Sequence, residues 1–167
     1  TAPTSLRCAA SPASEPRRAA MTDHDVSPAL RRVIAFFESL RPEALPAIAQ
    51  IYAGDARFRD PFSDVRGPAA IEAIFSAMFV RLEAPRFVIT EAIEGNEQAF
   101  LAWDFEFRFR RGDAARLQRI QGATLLRFGP DGRIVEHRDY WDAAGELYAK
   151  LPFVGALMRW LGRRMAH

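Results

Sequence analysis

The chain has 167 residues, of which 49% are hydrophobic and 26% charged, with a net charge of +2 and a single cysteine. This length is sufficient to bury a hydrophobic core without a disulfide bond or a structural metal. The composition therefore predicts one globular domain and excludes a disulfide-rich scaffold.

The excess positive charge lies at the N-terminus. Residues 1–20 are rich in Ala, Pro and Ser, have no periodic apolar pattern, and carry the whole net charge through three arginines and one glutamate. We expect this segment to be a disordered or non-native extension and the folded domain to occupy residues 21–149. Because the rest of the chain is neutral, we predict no nucleic-acid partner.

The sequence does not indicate a metal or nucleotide site. The lone cysteine, Cys8, lies in the extension, and only His137 of the three histidines falls inside a patterned segment. Thiolate and multi-histidine metal sites are therefore not expected. The glycine-rich motifs that bind nucleotides do not occur. We predict that the protein uses neither a metal nor a cofactor.

The first half of the domain is patterned mainly for helices. A helix over 28–40 begins with a serine N-cap and a proline at its first position. A second, short helix is predicted to end at Gly54, and a short strand over 56–59 follows. A third helix begins at Pro68 and is closed by Pro85.

The period of the apolar residues changes from 3.6 to 2 after Pro85, which predicts strands. Turn residues rich in Gly, Asn and Asp separate four of them. The predicted strands are 86–93, 99–110, 116–128 and 134–141. Helices followed by an antiparallel meander predict an α+β fold whose helices cover one face of a strongly curved sheet.

The C-terminal segment, residues 150–167, is predicted to be a basic amphipathic helix, after a short helix over 143–148. It carries Lys150, Arg159, Arg163 and Arg164 and no acidic residue. Such a helix packs over a pocket mouth or on a partner subunit with its arginines in water, or lies on an anionic membrane surface.

Three segments of the sequence resemble the nuclear transport factor 2-like superfamily, specifically its SnoaL-like branch. They are IYAGDARFRDPF at 51–62, RFGPDGRI at 127–134 and YWD at 140–142. The resemblance implies a cone whose sheet and helices enclose an apolar pocket. The superfamily includes ketosteroid isomerases, polyketide cyclases, limonene epoxide hydrolases and non-catalytic adaptors, so the activity has to be argued from the site.

The first candidate for catalysis is Asp60, in the sequence Asp-Pro-Phe. By resemblance to the ketosteroid isomerases it matches the base that moves a proton between carbons. The alternative is a turn whose carboxylate accepts hydrogen bonds from backbone N–H groups. The isomerases' two oxyanion donors fall on Phe36, which has no donor, and on Thr124, which has a neutral hydroxyl, so isomerase activity of that kind is not expected.

The last strand offers a second candidate. Strict alternation places Val135, His137, Asp139 and Trp141 on one face, and by resemblance Trp141 faces the pocket. Asp139 resembles the aspartate that SnoaL-like cyclases use as acid or base. His137 and Asp139 are predicted to pass a proton together, or alternatively to form a satisfied polar pair or an ion pair with an arginine.

The predicted pocket wall combines aromatic residues with the two positions that match the isomerase donors. The wall residues are Phe36, Tyr52, Phe62, Trp103, Phe105, Thr124 and Trp141. The aromatic row on strand 99–110 is alternatively core packing. An epoxide-hydrolase-like trio would require Arg108 together with Asp139 or Asp104.

Together these features predict a cytoplasmic protein, expected to be a homodimer, that binds a small, mainly apolar molecule in an enclosed pocket. Catalysis would be cofactor-free proton transfer of the isomerase, cyclase or dehydratase type by Asp60, Asp139 and His137. The alternative is a non-catalytic ligand-binding or dimerising adaptor protein.

Overall fold

The computed structural model describes residues 26–110 and 116–143. The predicted extension at 1–20, the helices predicted beyond residue 143 and the basic segment 150–167 lie outside these residues. Within the described ranges, no helix is both long enough and apolar enough to span a membrane.

The helices come early in the chain, and each has a local reason for its start. In α1, the Ser27 side chain accepts a hydrogen bond from the N–H of Leu30, and both carboxylate oxygens of Glu94 accept from Ser27 at 2.6 Å. This cap ties α1 to the sheet. Pro68 opens α3 at the position where a proline costs no hydrogen bond. The bounds are α1 Pro28–Glu38, a 3₁₀ helix Pro42–Ala47, α2 Ile48–Ile51 and α3 Pro68–Arg81.

Six strands form one curved, unclosed sheet in the order β2-β1-β6-β5-β4-β3. The bounds are β1 Tyr52–Arg59, β2 Asp64–Arg66, β3 Leu82–Gly95, β4 Gln98–Phe109, β5 Gln118–Phe128 and β6 Ile134–Trp141. The α+β prediction is confirmed, with one correction. The sheet is mixed, because β1 and β6 run parallel. No hairpin joins these two strands, since α3 and the meander lie between them in the chain, so no tight turn requires them to be antiparallel.

In the first half of the domain, the ends predicted for the second and third helices are wrong and one strand is missed. The helix α3 ends at Arg81 rather than at Pro85, because the chain enters β3 already at Leu82. The second helix ends at Ile51 rather than at Gly54, and the chain enters β1 already at Tyr52. The strand β2 was not predicted. It forms because the chain reverses directly after β1 and pairs back on it, with Arg57 of β1 in a bidentate ion pair with Asp64 of β2.

The core lies between the helices and one face of the sheet. α1 and α3 both pack on β3, and α3 also packs on β1. A bulge at Val135 breaks the predicted alternation of β6, because Ile134 pairs with Phe128 and Glu136 pairs with Arg127. Ile134 is therefore fully buried, whereas Val135 faces outward, contrary to the prediction. Beyond the bulge the predicted inward face of His137, Asp139 and Trp141 is preserved.

Candidate functional site

A chain of side-chain hydrogen bonds lies on the inner face of the sheet. Asp139 of β6 stands directly opposite Thr124 of β5, so their side chains are within reach of each other. Thr124 Oγ1 donates to Asp139 Oδ1 at 2.5 Å, and His137 Nε2 lies 2.9 Å from the same oxygen. His137 Nδ1 is 2.8 Å from the hydroxyl of Tyr52, and the indole N–H of Trp103 donates to Thr124 at 2.8 Å. Five residues from four strands thus form one connected network.

The hydrogen bonds have one consistent set of directions when Asp139 is a carboxylate and His137 a neutral imidazole. With Asp139 as a carboxylate, Oδ1 only accepts, so His137 donates through Nε2–H. In the neutral imidazole Nδ1 is then the acceptor, and the Tyr52 hydroxyl donates to it. This arrangement gives every donor in the network an acceptor, and among the described residues no buried side-chain nitrogen or oxygen is left without a partner.

Tyr52 lies at the fully buried end of the network. Its side chain is fully buried at the junction of α2 and β1, and burial together with the negative charge of Asp139 raises the pKa of its hydroxyl well above the ordinary value. Tyr52 is therefore a neutral hydrogen-bond donor under ordinary conditions. Aromatic rings enclose its partner, with the Phe58 ring centroid 4.6 Å from that of His137.

Trp103 lies at the other end, and Gly122 makes room for it. The two residues are paired across β4 and β5, and the indole ring lies directly over Gly122. A β-carbon at Gly122 would lie only 2.3 Å from a ring carbon of Trp103, which is closer than nonbonded carbons approach. Glycine at this position thus allows the indole N–H to reach Thr124.

The network borders a small inner cavity. Its volume is about 20 Å³, which is enough for one water molecule. The wall is apolar and aromatic apart from the network residues, and consists of Phe37, Phe75, Phe87, Ile89, Leu101, Trp103, Thr124, Leu126, His137 and Asp139.

An outer cleft of about 660 Å³ adjoins the ends of β1 and β6. It is lined by Arg59, Asp60, Pro61, Arg138, Asp139, Tyr140 and Trp141. Asp139 borders both the inner cavity and the outer cleft, and its side chain is 18% exposed. Within the described part of the chain no side chain donates to its second oxygen, Oδ2. This oxygen is therefore available to a ligand.

Asp60 borders the outer cleft but not the inner cavity. Its Oδ1 accepts from the backbone N–H groups of Phe62 at 2.7 Å and Ser63 at 2.5 Å, and its own N–H donates to the Ser63 carbonyl. The carboxylate thus closes the turn between β1 and β2, as the alternative interpretation of Asp-Pro-Phe describes. Asp60 and Asp139 share one cleft, and a catalytic role for Asp60 stays a prediction.

The predicted wall residues are only partly brought together. Phe36 is buried behind Phe37, which lines the cavity in its place. Phe105 is one layer away, stacked on Phe87 with ring centroids 4.5 Å apart. Phe62 is 54% exposed and meets the ring of Trp141 edge to face at the outer cleft. Trp103 and Thr124 line the inner cavity as predicted.

The sequence did not single out three of the cavity phenylalanines. Phe37 and Phe75 come from the apolar stripes of α1 and α3, and Phe87 comes from β3. The stripes mark these residues as buried, but which of them border a cavity depends on how the helices sit on the sheet. The sequence also placed Tyr52 in the pocket wall, whereas it lines neither the inner cavity nor the outer cleft, and gave no sign that it pairs with His137.

Asp104 lies on the opposite face of β4 from Trp103. It is buried, paired with the guanidinium of Arg119, and accepts from Gln121 at 3.0 Å. The Asp104 side chain in turn raises the pKa of Arg119. Arg108 follows on this same outer face. An epoxide-hydrolase-like trio of Asp104, Arg108 and Asp139 is therefore not assembled.

Metal coordination finds no support in residues 26–110 and 116–143. No group of three or more His, Cys, Asp or Glu side chains in these ranges is placed to hold a metal ion. The inner network instead consists of groups that satisfy one another.

Solved structures show which class of fold this is. A ketosteroid isomerase-like fold protein from Catenulispora acidiphila, crystallised with trimethylamine, is 18% identical with a TM-score of 0.61 over 72% of this chain and 89% of that chain. A putative SnoaL-like polyketide cyclase from Jannaschia is 13% identical with a TM-score of 0.62 over 72% and 92%. An LEH-like epoxide hydrolase from M. tuberculosis is 18% identical with a TM-score of 0.59 over 71% and 85%. The fold is that of the nuclear transport factor 2-like class.

The sequence identifies the family within this class. Residues 33–137 match the family model of the SnoaL-like domain. The chain therefore belongs to the SnoaL-like family, which confirms the resemblance given by its motifs. No curated protein matches the sequence significantly.

Proposed function

We propose that this protein binds a small, mainly apolar molecule against Asp139 and moves a proton with that carboxylate, without a cofactor. The observation that carries the proposal is the position of Asp139. Its Oδ1 is held by Thr124 and His137, no described side chain donates to Oδ2, and the residue borders both the inner cavity and the outer cleft.

The network prepares Asp139 for acid–base chemistry. Two hydrogen bonds to Oδ1 fix the orientation of the carboxylate, so Oδ2 meets a ligand in a defined direction. The proton would move from a ligand atom to Oδ2 and return to a second ligand atom, and His137 would keep its Nε2–H throughout. A positioned acid or base of this kind typically contributes about 10²-fold to 10⁴-fold in rate.

The outer cleft combines charged side chains with some apolar surface. Trp141 and Pro61 offer apolar surface, and the two arginines and two aspartates of the cleft balance each other in formal charge. The apolar part of the proposed site is the inner cavity, and small-molecule sites typically combine such apolar walls with a few placed polar groups.

The experiment begins with the native protein. Small molecules that remain bound through purification are extracted and identified by mass spectrometry, and each is then incubated with the protein in D₂O and followed by proton NMR. We expect a retained apolar molecule whose C–H groups exchange with solvent in the presence of wild-type protein and not of Asp139→Asn. Exchange that is equally fast with both proteins would contradict the role of Asp139.

A second function is favoured by one feature of the cavity. Every side-chain donor in its described wall is already engaged within the network, so none is available to stabilise a developing oxyanion. This arrangement favours a non-catalytic ligand-binding protein. The same experiment separates the two functions, since a retained molecule that exchanges no protons with either protein indicates binding alone.

A further inference from the structure

The inner cavity offers a ligand only an acceptor. Three wall residues have side-chain donors, and all three donors are engaged. The indole N–H of Trp103 donates to Thr124, while the Thr124 hydroxyl and His137 Nε2–H both donate to Asp139. The available polar atom in the described wall is therefore Oδ2 of a carboxylate, and a ligand group that meets it must be a donor.

Aromatic rings line the same cavity as this acceptor. Phe37, Phe75, Phe87 and Trp103 line the same cavity, and the described wall contains no lysine or arginine. Ring faces attract cations, and a carboxylate beside them compensates a cation for the loss of its hydration. An anionic group would instead face the like charge of Asp139 in a poorly solvated space, which is unfavourable.

The size of the cavity limits what enters it. About 20 Å³ accommodates one water-sized group, such as a single ammonium nitrogen, but not a ring. Because Asp139 also borders the outer cleft, the rest of the ligand would lie there, against Trp141 and Pro61.

We infer that the ligand carries a protonated primary amine, which occupies the inner cavity beside Asp139, on an apolar body that lies in the outer cleft. The inference rests on the proposed function, in which the ligand contacts Asp139, and it adds the chemical class of the group that makes the contact. It places the positive charge of the ligand next to the carboxylate and the phenylalanine rings.

The test compares three probes with the same ring and different heads. Benzylammonium, benzyl alcohol and benzoate are titrated into the full-length protein at pH 7 by isothermal titration calorimetry. We expect benzylammonium to bind at least about tenfold more tightly than the other two probes, since one additional charged contact is worth about that factor. Benzyl alcohol or benzoate binding as tightly as benzylammonium, or no measurable binding of benzylammonium, would overturn the inference.

Variants assign the effect to a residue and separate the two proposals. Asp139→Asn, which keeps the shape of the side chain, should weaken benzylammonium binding at least about tenfold. Asp55→Asn, at an exposed carboxylate of β1 that lines neither the inner cavity nor the outer cleft, should leave it within about threefold. If a neutral or anionic probe binds best and depends on Asp139, the proposed function stands and the amine inference falls. If none of the three probes is affected by Asp139→Asn, both fall.

Discussion

Asp60 and Asp139 border the same outer cleft, and each accepts two hydrogen bonds through its Oδ1. They differ in which groups donate those hydrogen bonds. Asp60 Oδ1 accepts from backbone N–H groups two and three residues ahead in the chain. Asp139 Oδ1 accepts from Thr124, on the neighbouring strand, and from His137. The first carboxylate closes a local turn, whereas the second joins β5 and β6 in the core. We infer from this difference that Asp60 mainly shapes the cleft and that Asp139 acts in it.

The largest expected effect concerns turnover. If the protein catalyses proton transfer, Asp139→Asn should lower the rate by at least about 10²-fold, because the amide can neither take up nor return the proton. The rate of C–H exchange in D₂O measures it. Asp60→Asn is the matched control and should change the rate much less. An equal loss of rate in Asp60→Asn would show that Asp60 also takes part in the proton transfer.

The packing that supports Asp139 can be disturbed from a distance. Gly122→Ala would place a β-carbon 2.3 Å from the Trp103 ring. We expect it to cost about 1–3 kcal/mol and to lower the thermal midpoint by several degrees. Gly54→Ala is the control, since nothing lies within 4 Å of the added carbon. Equal midpoints for both variants would show that the indole does not depend on Gly122.

Tyr52 gives the network a dependence on pH. Its raised pKa means that the folded state holds the hydroxyl proton more tightly than the unfolded state does. The contribution of the hydroxyl to the free energy of unfolding is complete below the ordinary tyrosine pKa of about 10. This contribution is lost as the pH rises above that value. Wild-type protein should therefore lose stability more steeply than Tyr52→Phe between about pH 10 and 12. Thermal unfolding across this range measures the slopes, and parallel slopes would contradict the assignment.

The same Tyr52→Phe variant also removes a buried donor at neutral pH. His137 Nδ1 would lose its partner, which typically costs about 1–3 kcal/mol. Urea unfolding at pH 7 measures this loss.

The turn at Asp60 should show the smallest effect. Asp60→Ala removes the acceptor of two backbone N–H groups and should cost about 0.5–1.5 kcal/mol. Asp60→Asn keeps an acceptor oxygen and should lie close to wild type. Urea unfolding of the two variants distinguishes them, and equal stability of Asp60→Ala and wild type would show that the carboxylate does not hold the turn.

The two aspartates also show what the sequence predicts and why. The turn around Asp60 follows from adjacent residues, so its capping role was among the interpretations that the sequence offered. The pairing of Asp139 with Thr124 depends on the register of β5 and β6, and that register depends on the bulge at Val135. No local pattern marks this bulge. The helices and long strands were predicted because their periods and turn residues are local as well.

Tyr52 illustrates the same limit. Its place in an apolar helical stripe predicted a helix up to Gly54, but the chain enters β1 at Tyr52 and directs the hydroxyl to His137, 85 positions away. Only tertiary packing brings the two side chains together, so the periodicity of the sequence could not predict the network.

The central claim is that Asp139, and not Asp60, meets the ligand. Carbon-13 NMR of protein labelled at the aspartate carboxyl carbons tests it directly, with the two signals assigned from Asp139→Asn and Asp60→Asn. The ligand added is the molecule retained through purification or, if none is retained, benzylammonium. We predict that the Asp139 carboxyl signal shifts on addition while the Asp60 signal stays in place. A shift confined to Asp60, or no shift at Asp139 on saturation, would contradict the account.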